Sequence, residues 1–133
     1  MAINNPYQAY QQNSVNTATP GELTLMLYNG SLKFMKLAKK AIEEKNIELK
    51  NINLIKAQKI IQELMVTLDT SQDVGKSMMM MYDYMNRRLI EANLKNDSAM
   101  VEEVEGLMME FRDAWKQVIQ LNRQQAFAQG GQA

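Results

Sequence analysis

The spacing of apolar residues divides the chain into an arm, four helical segments and a tail. Residues 1–18 are rich in Asn, Gln, Tyr and Ser and show no helical period, which predicts an extended N-terminal arm. A helix is predicted to begin after Thr19, with Pro20 at the first helical position, and to continue to about Glu44. Residues 124–133, rich in Gln, Ala and Gly, are predicted to form a flexible tail.

Short polar breaks separate three further helical segments. Asn46 is a predicted cap for a helix over residues 47–68, and the polar residues 69–73 precede a third helix over residues 74–95. Either Asp97 or Ser98 can cap a fourth helix that ends near Asn122. Because short connections make neighbouring helices pack antiparallel, the sequence predicts an all-α fold: an antiparallel, up-down four-helix bundle over residues 19–123.

Each helix has one apolar face with the spacing of a bundle core. Steps of three and four residues place these side chains on one side of each helix. The expected core residues of the first and second helices are Leu23, Leu27, Gly30, Phe34, Leu37 and Ala41, then Leu54, Ala57, Ile61, Leu64 or Met65, and Leu68. Those of the third and fourth are Met78, Met81 or Tyr82, Met85, Leu89 and Ala92, then Met100, Val104, Leu107 or Met108, Phe111, Trp115 and Val118.

Two helices carry more apolar residues than one core face needs. The first has a second apolar row, displaced by more than about 100° around the helix, and the third has apolar residues on a flank outside its core face. A broad core face that meets two neighbouring helices explains the second row, and a surface for a partner explains it equally well. On the partner interpretation, the binding residues are Leu25, Tyr28, Leu32, Met35, Met79, Ile90 and Leu94, with Tyr7 and Tyr10 of the arm.

The chain contains 12 Met, four of them consecutive at residues 78–81. Successive helical positions differ by about 100°, so at least one of the four must point away from the core. Methionine is flexible and polarizable, which suits a surface that repacks against apolar partners.

Composition narrows the classes of function. Apolar residues make up 46% and charged residues 23% of the 133, which is typical of a folded globular protein. Fifteen basic residues balance fifteen acidic ones, so no overall charge favours nucleic acid or an anionic membrane. Residues 1–7 show no signal peptide and no stretch is long and apolar enough to span a bilayer, so we expect a cytoplasmic protein.

The residue types that most catalytic and metal sites need are missing. The sequence has no His and no Cys, which removes His-based acid–base catalysis, thiolate chemistry and the carboxylate–His metal sites of helical bundles. No phosphate-binding glycine motif is present. We therefore predict that the protein is not an enzyme and that it uses neither cofactor nor metal.

Three motifs and three longer stretches resemble one known family. The motifs are Tyr-x-x-Tyr at residues 7–10, Thr-Ala-x-Pro-x-Glu-Leu at residues 17–23 and Leu-Tyr-x-Gly at residues 27–30, and the agreement continues over residues 53–64, 82–93 and 111–115. Together they closely resemble the flagellar secretion chaperone family, FliS.

The resemblance implies a helical bundle in the cytoplasm that binds the C-terminal segment of flagellin, prevents its premature polymerisation and delivers it to the flagellar type III export apparatus. It also implies an arm that carries Tyr7 and Tyr10 and occupies part of the binding surface in the free state. From the residues alone, a second interpretation stays open: a structural helical protein whose surplus apolar faces form a homodimer.

Overall fold

The computed structural model describes residues 19–131, with side chains through residue 126, and these residues form four α-helices and no strand. Helix α1 spans Pro20–Glu43, α2 Ile47–Val66, α3 Asp73–Lys95 and α4 Ser98–Gly131. Both α1 and α3 pack against α2 and α4, so the four helices form a closed ring of neighbours joined by short connections. The predicted all-α, up-down four-helix bundle is confirmed. The predicted arm lies outside the described residues.

Three of the four described helices, α1, α2 and α4, begin at the predicted capping residues, whereas Gln72 before α3 makes no side-chain capping bond. Thr19 Oγ1 and Asn46 Oδ1 each accept a hydrogen bond from the backbone N–H three residues later, at 3.2 and 3.1 Å. At the start of α4, Asp97 Oδ1 accepts from the next two free N–H groups at 2.9 and 3.3 Å, so Asp97 rather than Ser98 is the cap. These side chains satisfy N–H groups that have no partner within the helix.

Helix α4 is longer than its composition suggested. It continues to Gly131, past the expected end near Asn122, so the backbone of residues 124–131 is helical where a flexible tail was predicted. The physical reason is that Gln and Ala both favour the helix and that no proline interrupts this stretch. Because Arg123 Nη2 donates to Glu22 Oε1 at 2.8 Å in the first turn of α1, the residues after 123 extend beyond the start of α1.

The core is apolar and contains one buried pair of hydroxyl groups. Tyr28 of α1 and Tyr82 of α3 share a hydrogen bond of 2.7 Å between their hydroxyl oxygens, and both rings lie beside Phe111 of α4. Burial raises the pKa of both tyrosines, most strongly that of Tyr82. The remaining fully buried side chains are mainly Met35, Leu54, Ile61, Leu64, Met85, Leu89, Val101, Val104 and Met108.

Two expected core residues lie at the surface. Leu37 is 41% exposed and Val118 is 39% exposed, so their assignment to the core is wrong. Each sits at the border of its apolar face, where the neighbouring helix no longer covers it. The Met run behaves as predicted, because Met80 is 73% exposed while its three neighbours are partly buried.

Gly75 allows the connection between α2 and α3 to pass close to α3. A Cβ at this position would lie 1.9 Å from the backbone oxygen of Asp69, which is closer than two non-bonded atoms can approach. Asp69 also accepts hydrogen bonds from the N–H and the hydroxyl of Ser71, at 3.0 and 2.6 Å, which hold the turn compact. The absence of a side chain at position 75 thus fixes where α3 begins relative to α2.

Candidate functional site

The seam between α3 and α4 is closed by polar side chains. Arg88 of α3 donates to Glu103 of α4 at 2.7 Å and to Glu91 at 3.3 Å, and the Tyr84 hydroxyl also donates to Glu103. The hydrogen bond from Tyr84, with a further contribution from Arg88, lowers the pKa of Glu103. Lys95 pairs with Glu91 at 2.8 Å. This network occupies the surface at which the two helices meet.

The seam between α1 and α4 is tied at three levels. Lys39 Nζ lies 2.6 Å from Glu105 Oε1, and this hydrogen bond raises the pKa of Lys39. Trp115 Nε1 donates to the backbone oxygen of Gly21 at 2.8 Å, and Arg123 pairs with the first turn of α1. These contacts hold α1 against α4, and beside Arg123 a depression of about 260 Å³ is lined by Glu22, Leu25, Lys116, Ile119, Gln120 and Arg123.

The seam between α2 and α3 combines a polar contact at one end with exposed apolar side chains. Lys50 of α2 is buried, and its Nζ donates to the backbone oxygen of Asn93 at 2.8 Å and to the Asn96 side chain at the end of α3. Ile47 precedes Lys50 by one turn and Leu94 follows Asn93, so both lie at this end of the seam.

Ile55 and Ile90 continue the apolar surface along the same two helices. Ile90 is one turn before Leu94, and Ile55 is two turns after Ile47. All four residues are substantially exposed, from 41% for Ile90 to 80% for Leu94. We refer to Ile47, Ile55, Ile90 and Leu94 as the α2–α3 surface.

Two amide groups next to this surface lack partners. The Oδ1 atoms of Asn86 and Asn93 are buried and accept no hydrogen bond from any described residue. Both asparagines lie on the flank of α3 toward α2, two turns apart, on either side of Ile90. Buried acceptors are normally satisfied, so these two amide oxygens are unusual among the buried polar atoms of the described residues.

The predicted binding residues separate into buried and accessible groups. Tyr28 and Met35 are fully buried in the core, so in this conformation they support the fold and do not reach a partner. Leu25, Leu32 and Met79 are partly buried, whereas Ile90 and Leu94 are exposed and belong to the α2–α3 surface. Within the second apolar row of α1, Tyr28 and Met35 thus belong to the core, while Leu25 and Leu32 keep some exposure; Tyr7 and Tyr10 lie outside the described residues.

Ile47 and Ile55 are site residues that the sequence analysis did not single out. Their helix has an apolar core face, and these two isoleucines lie beyond its edge. One sequence signal could have found them: α2 contains more isoleucines than a single core face can include.

The described residues show no group of three or more Asp or Glu side chains arranged to hold a metal ion. Within residues 19–131, every helix is too short or too polar to cross a bilayer. Between α2 and α3, the described residues present an exposed apolar surface.

The chain matches the family model described as "Flagellar protein FliS" over residues 3–122. The chain belongs to the FliS family. A flagellar secretion chaperone FliS from Bacillus subtilis (strain 168) is 64% identical over 131 residues, covering 98% of this chain and 98% of that protein. The flagellar secretion chaperone FliS of Escherichia coli (strain K12) is 38% identical over 117 residues, covering 83% of this chain and 86% of that protein. The resemblance found in the sequence motifs is confirmed.

A solved structure shares the FliS fold at low sequence identity. It is described as a flagellar chaperone from bacteria and superposes with a TM-score of 0.72 at 17% identity, covering 86% of this chain and 95% of that chain. At this identity the similarity shows that the two chains have the same fold. The bundle of this FliS family member thus persists when most side chains differ.

Proposed function

We propose that this protein is a cytoplasmic flagellar secretion chaperone that binds the C-terminal helical segment of flagellin. In this proposal it prevents premature polymerisation and delivers flagellin to the flagellar type III export apparatus. Family membership supports the chaperone role, since the curated relatives carry that name. The observation that carries the binding step is the α2–α3 surface, where four large apolar side chains are exposed beside two buried amide oxygens that lack hydrogen-bond partners.

The surface has the chemistry that capture of an amphipathic helix requires. A segment that is disordered alone can fold on binding by placing its apolar residues between two helices of the host. Branched apolar side chains such as Ile90 and Leu94 supply contact area without demanding a particular hydrogen-bond pattern. Masking the apolar face of the segment in this way prevents that face from assembling with other copies.

The residues proposed for this contact are Ile90 and Leu94, supported by Met79 and by the newly recognised Ile47 and Ile55. Leu25 and Leu32 remain proposed contacts at the margin of α1. Tyr7 and Tyr10 are proposed to cover part of the apolar surface in the free protein until the partner displaces the arm.

Titration calorimetry with a peptide from the C-terminal segment of the same organism's flagellin tests the binding step. We expect saturable one-to-one binding with a negative heat-capacity change, because apolar area leaves water. The double variant Ile90→Lys/Leu94→Lys should bind at least about tenfold more weakly, since charge would enter an apolar contact. Leu121→Lys is the matched control, because Leu121 is 56% exposed and lies on α4, which contributes nothing to the α2–α3 surface.

Circular dichroism should show unchanged helicity in all these variants. Equal affinity of the double variant and the parent would refute the placement of the site. Absence of binding, together with a mass in solution that doubles with concentration, would favour a structural homodimer instead.

Hydrogen exchange tests the role of the arm. We expect slowed exchange around Tyr7 and Tyr10 in the free protein and faster exchange after the flagellin peptide binds. An arm that exchanges as rapidly as an unstructured peptide in both states would contradict the proposed covering role.

A further inference from the structure

A second exposed apolar strip lies between α1 and α2, and it is surrounded by lysines. Leu37 of α1 and Leu49 and Ile52 of α2 are each between 41% and 45% exposed. Lys33, Lys36 and Lys40 line one depression together with Leu37, and Lys56 and Lys59 follow Ile52 by one and two turns on α2. We refer to these eight residues as the α1–α2 groove.

One contact between the helices aligns the two sides of this groove. Lys56 Nζ of α2 lies 5.3 Å from the centre of the Phe34 ring of α1. Leu37 is one turn after Phe34, and Ile52 is one turn before Lys56. Because α1 and α2 run antiparallel, one turn forward on α1 and one turn back on α2 reach the same level, so Leu37 and Ile52 lie at the same height along the seam.

The lysines also shape the surface beside the apolar strip. Lys33 Nζ approaches the Phe34 ring at 5.9 Å, so the ring carries an ammonium group from each helix. On the outer side of α1, a depression of about 470 Å³ is lined by Leu37, Lys33, Lys36, Lys39, Lys40 and Glu43. The groove therefore combines an apolar floor with positively charged borders.

The charge of this groove is local and has a counterpart elsewhere on the bundle. The protein has no net charge, yet residues 33–42 contain four Lys, residues 49–62 contain three, and neither stretch contains Asp or Glu. The first half of α4, residues 98–111, shows the reverse pattern, with four Glu and no Lys or Arg. The lysine excess is confined to residues 33–42 and 49–62, because Glu43, Glu44, Glu48 and Glu63 lie directly outside these two stretches.

We propose that the α1–α2 groove is a docking surface for an acidic amphipathic helix of a partner protein. Such a helix would place apolar residues against Leu37, Leu49 and Ile52 and would direct Glu or Asp on its two borders toward the lysines. This inference does not depend on flagellin binding at the α2–α3 surface, because the two surfaces share no residue.

Charge complementarity excludes the chain's own ends as occupants. Residues 1–18 and residues 124–133 contain no Asp and no Glu, so neither segment can match the basic borders. The groove also lacks an exposed aromatic ring on which bases could stack, since Phe34 is buried beneath Lys33 and Lys56. An acidic helix satisfies both the apolar floor and the lysine borders.

The test uses full-length protein and a designed probe. The probe is a stapled helical peptide with Leu residues along one face and Glu residues along both borders of that face. Titration followed by amide and methyl NMR should give saturable shifts concentrated at Leu37, Leu49 and Ile52. A matched peptide in which every Glu is replaced by Gln should bind at least about tenfold more weakly, and raising the salt concentration should weaken the Glu peptide selectively.

Variants of the protein separate the groove from general electrostatic attraction. Lys36→Glu/Lys40→Glu should reduce affinity for the Glu peptide by about tenfold or more, and the milder Lys36→Gln/Lys40→Gln should reduce it less. Lys76→Glu/Lys116→Glu is the control: it changes the net charge of the protein by the same amount, but its substitutions lie on α3 and α4, outside the groove. It should leave the affinity for the Glu peptide within about twofold.

Several results would overturn the proposal. Shifts centred away from the groove, or equal binding of the Glu and Gln peptides, would show that charge complementarity does not direct docking there. Stronger binding of a single-stranded oligonucleotide or of anionic vesicles at the same residues would assign the groove to that class of ligand. If the flagellin peptide displaced the Glu peptide in direct competition, the groove would be part of the flagellin site.

Discussion

Gly75→Ala is a sharp test of the close approach between α3 and the connection that precedes it. Alanine favours a helix over glycine by about 1 kcal/mol, so propensity alone predicts a more stable protein. The structure predicts the opposite, because the added methyl group would lie 1.9 Å from the backbone oxygen of Asp69. Ordinary carbon–oxygen contacts need at least about 3.3 Å, so the connection must move by more than about 1 Å.

Overpacking of this kind typically costs about 1–3 kcal/mol, and the gain in propensity offsets part of it. We therefore expect the free energy of unfolding to fall by about 1–2 kcal/mol, measured by urea denaturation with far-UV circular dichroism. Gly106→Ala is the matched control, because a Cβ there meets no atom within 4 Å. It should stabilise α4 by about 0.5–1 kcal/mol. If Gly75→Ala raised stability as much as the control does, the steric argument would be refuted.

Three further predictions concern buried polar contacts. Tyr28→Phe should destabilise the protein by about 1–3 kcal/mol because the Tyr82 hydroxyl loses its partner, and adding Tyr82→Phe should cost less than the sum of the single changes in a double-mutant cycle. Burial raises the pKa of both hydroxyls, so the folded state retains protons that the unfolded chain releases. The free energy of unfolding should therefore stay level to about pH 9 and fall above the ordinary pKa of 10.0, less steeply in the double Phe variant; an identical pH profile would contradict this. Lys50→Ala should cost about 1–3 kcal/mol by removing the donor at the end of α3, whereas exposed Lys59→Ala should change urea stability little.

The sequence predicts the fold well because its start signals are local. Thr19, Asn46 and Asp97 act through N–H groups only two or three residues away, so their roles can be derived without knowing the tertiary structure. The end of α4 is less predictable. Gln and Ala have no strong stop signal, so composition alone does not decide between a frayed tail and a continued helix.

The candidate site depends on which neighbour covers each helical flank, and a single helix pattern does not contain that information. Tyr28 and Met35 have the same apolar character as Ile90 and Leu94, yet the first two are enclosed by the bundle and the last two are exposed. Leu37 is the opposite case: its spacing predicts a core residue, but the structure leaves it exposed. Packing between helices, rather than periodicity within one, decides these outcomes.

Residues 33–42 carry four Lys without Asp or Glu, and residues 98–111 carry four Glu without Lys or Arg, so these two helical stretches form an electric dipole in a molecule without a net charge. A uniform electric field exerts a torque on such a neutral molecule but no net force. Near a charged macromolecule, the torque would turn the α1–α2 side or the α4 side forward before any contact forms. Ionic strength would weaken this alignment over distances of roughly 8–10 Å, so orientation before collision is greatest in dilute salt.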